Sequence, residues 1–269
     1  MLTRAISGAI YVLLIIGAIL APGSVCFYAL MTLFIILGMI ELQHLLSSRA
    51  PMSLGVRICD LLFAVVFISA CYFTLCHFTH WSLLGLTLLY VPVRMIMAVC
   101  DRTEQPAKSI LYSFLTMMYV AWPLTLLFVA YAMGGMAPKI VLMTFILIWV
   151  NDTGAYLSGM SMGRHKLCER LSPKKTWEGF WGGFVLSIGA GVLGAWLMSY
   201  TGQNLVLWGV YAALVSLVGT FGDLFESLIK RTLGVKDSGK LIPGHGGILD
   251  RIDSVLAVAP LVLVMVFVM

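Results

Sequence analysis

Long apolar runs, interrupted at short intervals by polar and turn-forming residues, make up most of the chain. Each run approaches the roughly 20 residues that a helix needs to cross the hydrocarbon core of a bilayer. They predict about nine spans, at 5–22, 24–45, 59–77, 80–99, 110–133, 138–158, 178–199, 205–229 and 252–269. Pro22-Gly23 and Ala50-Pro51 mark turns, and Pro123 predicts a kink in the fifth span because it brings no N–H to the helix ladder. The expectation is an all-α polytopic integral membrane protein. Residues 1–140 would be a scaffold of spans facing lipid or a second copy, and 141–269 a catalytic region with two basic loops.

Composition agrees with that reading. The 269 residues are 61% hydrophobic and 11% charged, with mean hydropathy +1.00, whereas about a quarter of a soluble domain is charged. A net charge of +5 would suggest nucleic acid in a soluble domain. Here the basic residues sit between spans, so a nucleic-acid partner has no support. If the N-terminus is cytoplasmic, all of the 17 Lys and Arg except Lys139 fall at cytoplasmic ends, as the positive-inside rule requires. This places the C-terminus on the opposite side of a bacterial-type inner or plasma membrane, and the loops 159–177 and 230–251 in the cytoplasm. Arg4 before an apolar run resembles a signal peptide, but the long apolar continuation favours a retained first helix. The 6 cysteines form no C-x-x-C pair and read as small hydrophobes. Cys76, His77 and His80 have no fourth partner nearby to complete a metal site.

Up to about residue 140 the sequence carries little chemistry. Glu41 and His44 are spaced i, i+3 and read as a solvated helix terminus, and Asp60, Asp101 and Glu104 read as interface charges. The sixth span is different, because Ile140 to Val150 is followed by Asn151-Asp152-Thr153-Gly154-Ala155-Tyr156. A carboxylate there is costly unless it faces water or a partner. Either the helix ends early and Asp152 lies among headgroups, or Asp152 belongs to the polar wall of a site. Downstream, Ser172-Pro173 stops any preceding helix, and Lys174, Lys175 and Thr176 come just before a new one, whose free amides attract anions. The lysines read as a phosphate grip, or alternatively as a patch for anionic lipid. The seventh span is rich in glycine, which permits close helix contacts.

The densest polar stretch runs from Asp223 to Asp253. Asp223, Glu226, Ser227 and Lys230 stand at i, i+3, i+4 and i+7, on one helical stripe. Lys236-Asp237 and Pro243-Gly244-His245-Gly246-Gly247 follow, a turn whose glycines can take positive φ and bring backbone amides to phosphate oxygens. Asp250-Arg251-Ile252-Asp253 opens the last span. Asp250 could be only its N-cap, with Asp253 favouring the helix dipole. Alternatively, two carboxylates three residues apart, with Asp223, offer the oxygen surroundings that Mg²⁺ prefers when it also binds substrate phosphates.

The run Ser227-x-x-Lys230-Arg231, then Lys236-Asp237-x-Gly239, then Pro243-x-His245-Gly246-Gly247-x-x-Asp250-Arg251-x-Asp253 resembles the signature of the phosphatidate cytidylyltransferases, or CDP-diacylglycerol synthases. Asp152 to Tyr156 and Ser172 to Gly179 resemble that family's other recurrent segments. The resemblance covers about residues 150–253 and implies a cytoplasm-facing, Mg²⁺-dependent enzyme, often a homodimer. Such an enzyme condenses CTP with phosphatidic acid, a membrane lipid, and releases pyrophosphate and CDP-diacylglycerol. It assigns Asp223 and Asp250 to metal, with Asp253 as a third ligand or just behind the ligands; a second, monovalent cation such as K⁺ is compatible with the cluster. Lys230, Arg231, Lys236, Lys174 and Lys175 would hold phosphates and Ser227 phosphate or metal. Asp152, Gly246, Gly247 and Arg251 would bind substrate, and His245 would position it. Two competing readings are a CTP-dependent kinase of a polyprenol-like lipid and a secondary transporter, in which Asp152, Asp223 and Glu226 would carry ions. A transporter usually places such charges near the midplane of related halves, and no repeat is evident here.

Overall fold

The computed structural model describes residues 2–76, 82–101, 103, 105–239 and 246–269. Its helices are α1 (Leu2–Leu20), α2 (Val25–Ser47), α3 (Leu54–Cys76), α4 (Ser82–Leu88), α5 (Tyr90–Cys100), α6 (Pro106–Thr116), α7 (Trp122–Ala132), α8 (Ala137–Met162), α9 (Trp177–Leu197), α10 (Gln203–Thr232) and α11 (Leu249–Val268). Among the described residues 8 helical segments are long and apolar enough to cross a bilayer, and Ile6–Leu20 of α1 is a shorter apolar one. These match the expected apolar runs, and the protein is an all-α polytopic membrane protein. The expected kink at Pro123 takes the form of a π turn, Met117–Ala121, between α6 and α7. A wider turn absorbs the backbone partner that proline cannot supply.

The chain forms two compact units, one of Met1–Pro138 with Leu233–Arg251 and one of Lys139–Thr232 with Ile252–Met269. In the first, aromatic packing joins α2, α3 and α7: the Phe27 and Tyr131 rings lie 4.4 Å apart, as do those of Tyr28 and Tyr72. Asp60 and Arg94, expected at the interface, are instead 0% and 1% exposed. The Tyr90 hydroxyl donates to Asp60 Oδ1 at 3.0 Å, and Arg94 Nε lies 3.9 Å from the same oxygen. Arg94 also donates to Ser113 Oγ at 2.9 Å and Ser109 Oγ at 2.8 Å. Burying two opposite charges together, with hydroxyls around them, offsets the desolvation that either alone would suffer.

In the second unit α8 continues through Asn151 and Asp152 to Met162 without a break. Glycine faces let α8 and α9 touch. A Cβ at Gly183 would come within 2.6 Å of the Asn151 carbonyl oxygen, and one at Gly179 within 2.8 Å of that of Ala155. Buried polar pairs fasten α8 to α10, with Thr144 Oγ1 2.6 Å from the Tyr211 hydroxyl and Ser216 donating to Asn151 Oδ1 at 2.5 Å. Between α8 and α9 the chain forms a small antiparallel hairpin, β1 (Lys166–Cys168) with β2 (Ser172–Thr176), in register Lys166 to Thr176 and Cys168 to Ser172. The sequence pattern predicts only a loop here.

Candidate active site

The site in the second unit starts from two glycines of α10. Ser254 of α11 donates to the Gly219 carbonyl at 3.1 Å, and a Cβ at Gly222 would lie 2.5 Å from the Ala257 Cβ. This close approach brings Asp223 and Glu226, one turn apart on α10, to Asp253 of α11. Ligand oxygens of the three carboxylates lie within 4.8 Å of one another. Asp152 of α8 adds to the negative field at Asp253. Glu226 is 2% exposed and accepts from Lys230 Nζ at 2.9 Å, one turn further along α10. Ser227 is buried beside it.

The hairpin supplies the basic side. Thr176 caps α9, its Oγ1 accepting from the Gly179 amide at 3.1 Å. Glu178, in the first turn of that helix, accepts from the amides of Arg164 at 3.1 Å and His165 at 3.2 Å, and its Oε1 lies 2.6 Å from His165 Nδ1. A carboxylate suits this end of a helix, and here it also ties down the start of the hairpin. Lys175 Nζ reaches Asp223 Oδ2 at 2.6 Å. A cavity of about 460 Å³ opens at this pair, lined among others by Asp152, Tyr156, Lys174, Lys175, Phe180 and Asp223. Of the expected site residues, the structure therefore gathers Asp152, Lys174, Lys175 and Asp223 around one cavity, and Asp223 with Asp253 in one carboxylate cluster. Arg231 is turned to the hairpin, its Nε donating to the Leu171 carbonyl at 3.4 Å.

The signature turn belongs to the first unit. Asp250 Oδ2 accepts from the amide and hydroxyl of Ser238, at 3.2 and 2.9 Å, and from the Gly247 amide at 2.9 Å. These donors precede Asp250 in the chain, so it braces the turn and is not an N-cap. Gly246 has φ +82°, and a Cβ there would lie 2.5 Å from Asp250 Oδ2, which is the positive-φ glycine the sequence led one to expect. Lys236 and Arg251 are exposed. His245 lies outside the described residues, as do His77, His80 and Glu104.

Two acidic residues carry more in the structure than their sequence pattern predicts. The sequence puts Glu226 on the polar stripe and the expected metal carboxylates are Asp223, Asp250 and Asp253, whereas the structure groups Glu226 with Asp223 and Asp253, as its spacing from Asp223 on one helical face allows. Glu41 was read as a solvated terminus. Its carboxylate instead accepts from the amides of Ile248 at 2.8 Å and Leu249 at 3.3 Å. No local pattern reveals a contact across 207 residues. The only hint was a lone carboxylate inside an apolar run.

The sequence model of the Cytidylyltransferase family matches residues 2–269. Among curated relatives, the phosphatidate cytidylyltransferase of Staphylococcus saprophyticus is 46% identical over 123 residues, which are 45% of this chain and 46% of the relative. The protein of the same name from Staphylococcus aureus is 48% identical over 121 residues, again 45% and 46% of the two chains. The aligned stretches thus span less than half the length of the curated relatives they match. The family match, by contrast, runs through every element that carries the carboxylate cluster, the lysines and the signature turn: the chain belongs to the cytidylyltransferase family.

Proposed function

We propose that the protein is a phosphatidate cytidylyltransferase, converting CTP and phosphatidate to CDP-diacylglycerol and pyrophosphate in phospholipid biosynthesis. The observation that carries this reading is the meeting of Asp223, Glu226 and Asp253 with Lys175, beside a cavity that Lys174 and Asp152 also line. The names of the Staphylococcus relatives and the signature residues point the same way.

In this reaction a phosphate oxygen of phosphatidate attacks the α-phosphorus of CTP. The bond to the β-phosphate breaks, and its electron pair leaves with pyrophosphate. The lipid phosphate is already ionised, so no protein nucleophile or strong base is needed. The protein must instead align two polyanions and neutralise them. Lys174 and Lys175 serve that purpose at the cavity, and Lys230, Arg231, Lys236 and Arg251 are further proposed phosphate partners. Ser227 and Asp152 are proposed to bind substrate with hydroxyl and carboxylate oxygen. Gly246 and Gly247 are proposed to bind substrate by letting its phosphates approach the turn closely, the Gly247 amide itself being held by Asp250, and His245 to position substrate.

The three clustered carboxylates fit a hard divalent cation, because each offers one oxygen at mutually compatible distance and, among the described residues, no soft ligand joins the group. Asp223, Glu226 and Asp253 would hold Mg²⁺, with K⁺ as a proposed second cation, and Asp250 stays in the proposal as the carboxylate of the signature turn. A Mg²⁺ ion held there would supply positive charge to the triphosphate of the nucleotide.

The proposal includes a cytoplasmic N-terminus and site, from the distribution of Lys and Arg, and a homodimer, from the family resemblance. One assay tests the chemistry: purified protein, vesicles containing both phosphatidate and a polyprenol, Mg²⁺ and CTP labelled at the α-phosphate. Label in the lipid with release of pyrophosphate supports the proposal. CDP with a phosphorylated lipid alcohol would replace it with the kinase reading, and absence of any turnover would overturn both.

A further inference from the structure

Glu41 is the sole acidic residue of α2, set between Ile40 and Leu42 in an apolar helix. A carboxylate there is costly unless something compensates it. What compensates it is backbone. Oε2 accepts from the Ile248 amide at 2.8 Å and Oε1 from the Leu249 amide at 3.3 Å. These are amides at the very start of α11, which have no partner inside the helix and face the positive end of its dipole.

The signature glycines fit around the same carboxylate. A Cβ at Gly239 would meet Glu41 Cδ and Oε2 at 2.9 Å and Cγ at 3.3 Å, and nothing else is closer. A Cβ at Gly247 would overlap Glu41 Oε1. Ser238, next to Gly239, holds Asp250 through its hydroxyl and amide. Glu41 and Asp250 therefore brace one turn from two sides, and Gly239 and Gly247 are small so that Glu41 can enter. Glu41 has both oxygens committed to these amides.

We propose that Glu41 is a positioning residue for the signature turn: packed against Gly247, its carboxylate clamps the amides of Ile248 and Leu249 and thereby fixes the direction in which Asp250 is presented. The role in catalysis rests on the cytidylyltransferase reading above, whereas the clamp itself does not.

The test uses the full-length protein in detergent. In Glu41→Ala, hydrogen exchange at Ile248 and Leu249 should accelerate by about tenfold or more while α2 and α10 keep their protection. Glu41→Gln, which keeps one acceptor oxygen, should fall between and covers the case in which the alanine variant fails to fold. CMP transfer should lose turnover about tenfold, with KM for CTP rising by less than turnover falls, since Lys174 and Lys175 at the cavity are untouched. Gly239→Ala should impair turnover in the natural background and have little further effect beside Glu41→Ala, because the two share one contact. Unchanged exchange at Ile248 and Leu249, or equal damage from Gly239→Ala in both backgrounds, would overturn the clamp. If the unaltered protein transfers no CMP, the functional reading fails and the exchange data still decide on the clamp.

Discussion

Lys175 Nζ and Asp223 Oδ2 stand 2.6 Å apart, joining the β-hairpin to α10 at the edge of the cavity. The ammonium is thus held at a fixed place beside the carboxylate cluster. Replacing it should weaken stabilisation of the transferring phosphate. Lys175→Met is expected to lower kcat/KM for CMP transfer by about a hundredfold, and Lys175→Arg should restore only part, since a planar fork does not replace a point charge. Steady-state kinetics on monodisperse protein checks both.

Asp223, Glu226 and Asp253 form the proposed cation site, so chelation should abolish turnover and added Mg²⁺ should restore it. Asp223→Asn, Glu226→Gln and Asp253→Asn should each raise the Mg²⁺ concentration for half-maximal rate by about tenfold or more. Binding of Mn²⁺, followed by its paramagnetic signal, gives a readout independent of turnover. Full activity and unaltered Mn²⁺ binding in Asp253→Asn would remove it from the site. Asp250→Asn should also lose activity, because an amide cannot satisfy the Ser238 and Gly247 donors with the same charge.

The geometry of the cluster depends on how near α11 comes to α10. Gly222→Ala would press its Cβ against Ala257, an overpacking that typically costs about 1–3 kcal/mol. We expect turnover to fall as Asp253 is moved from Asp223. Ala257→Gly in the same protein should recover part of it, the Asp253 carbonyl 3.1 Å from the new Cβ remaining, and no recovery at all would mean that the Ala257 contact does not set the spacing.

The buried pair of Asp60 and Arg94 makes a stability prediction apart from the site. Arg94→Met leaves a carboxylate buried without its cation, which typically costs about 3–5 kcal/mol. Adding Asp60→Leu should return most of the loss. Thermal unfolding in detergent of the single and double variants measures the difference.

What the sequence could and could not reveal follows from the range of each interaction. Spans are legible because the length of an apolar run is a local property, and Pro123 announced a disturbance because its missing N–H is local too. Asp223 and Glu226 share a helical face by spacing alone. Lys175 and Asp223 could be grouped only by their chemistry, since their ion pair crosses from a hairpin to a helix. The hairpin itself was missed because Ser172-Pro173-Lys174-Lys175 has neither alternation nor strand-forming composition, and its shape depends on Glu178 and the Trp177 amide holding His165. Asp60 and Arg94 looked like surface charges because a sequence does not show that each has the other.

The clamp at Glu41 also sets an order of events during synthesis. Glu41 enters the membrane 207 residues before the Ile248 amide that it binds, a wait of about 10–40 s at ordinary rates of translation. Until then the carboxylate lies in α2 without its backbone partners, while the helices from α3 to α10 are made and inserted. The signature turn can therefore close on Glu41 only once α11 has begun to emerge, after α2 to α10 are already made. A nascent chain stalled before α11 would hold the Glu41 carboxylate in an apolar helix without the Ile248 and Leu249 amides that compensate it.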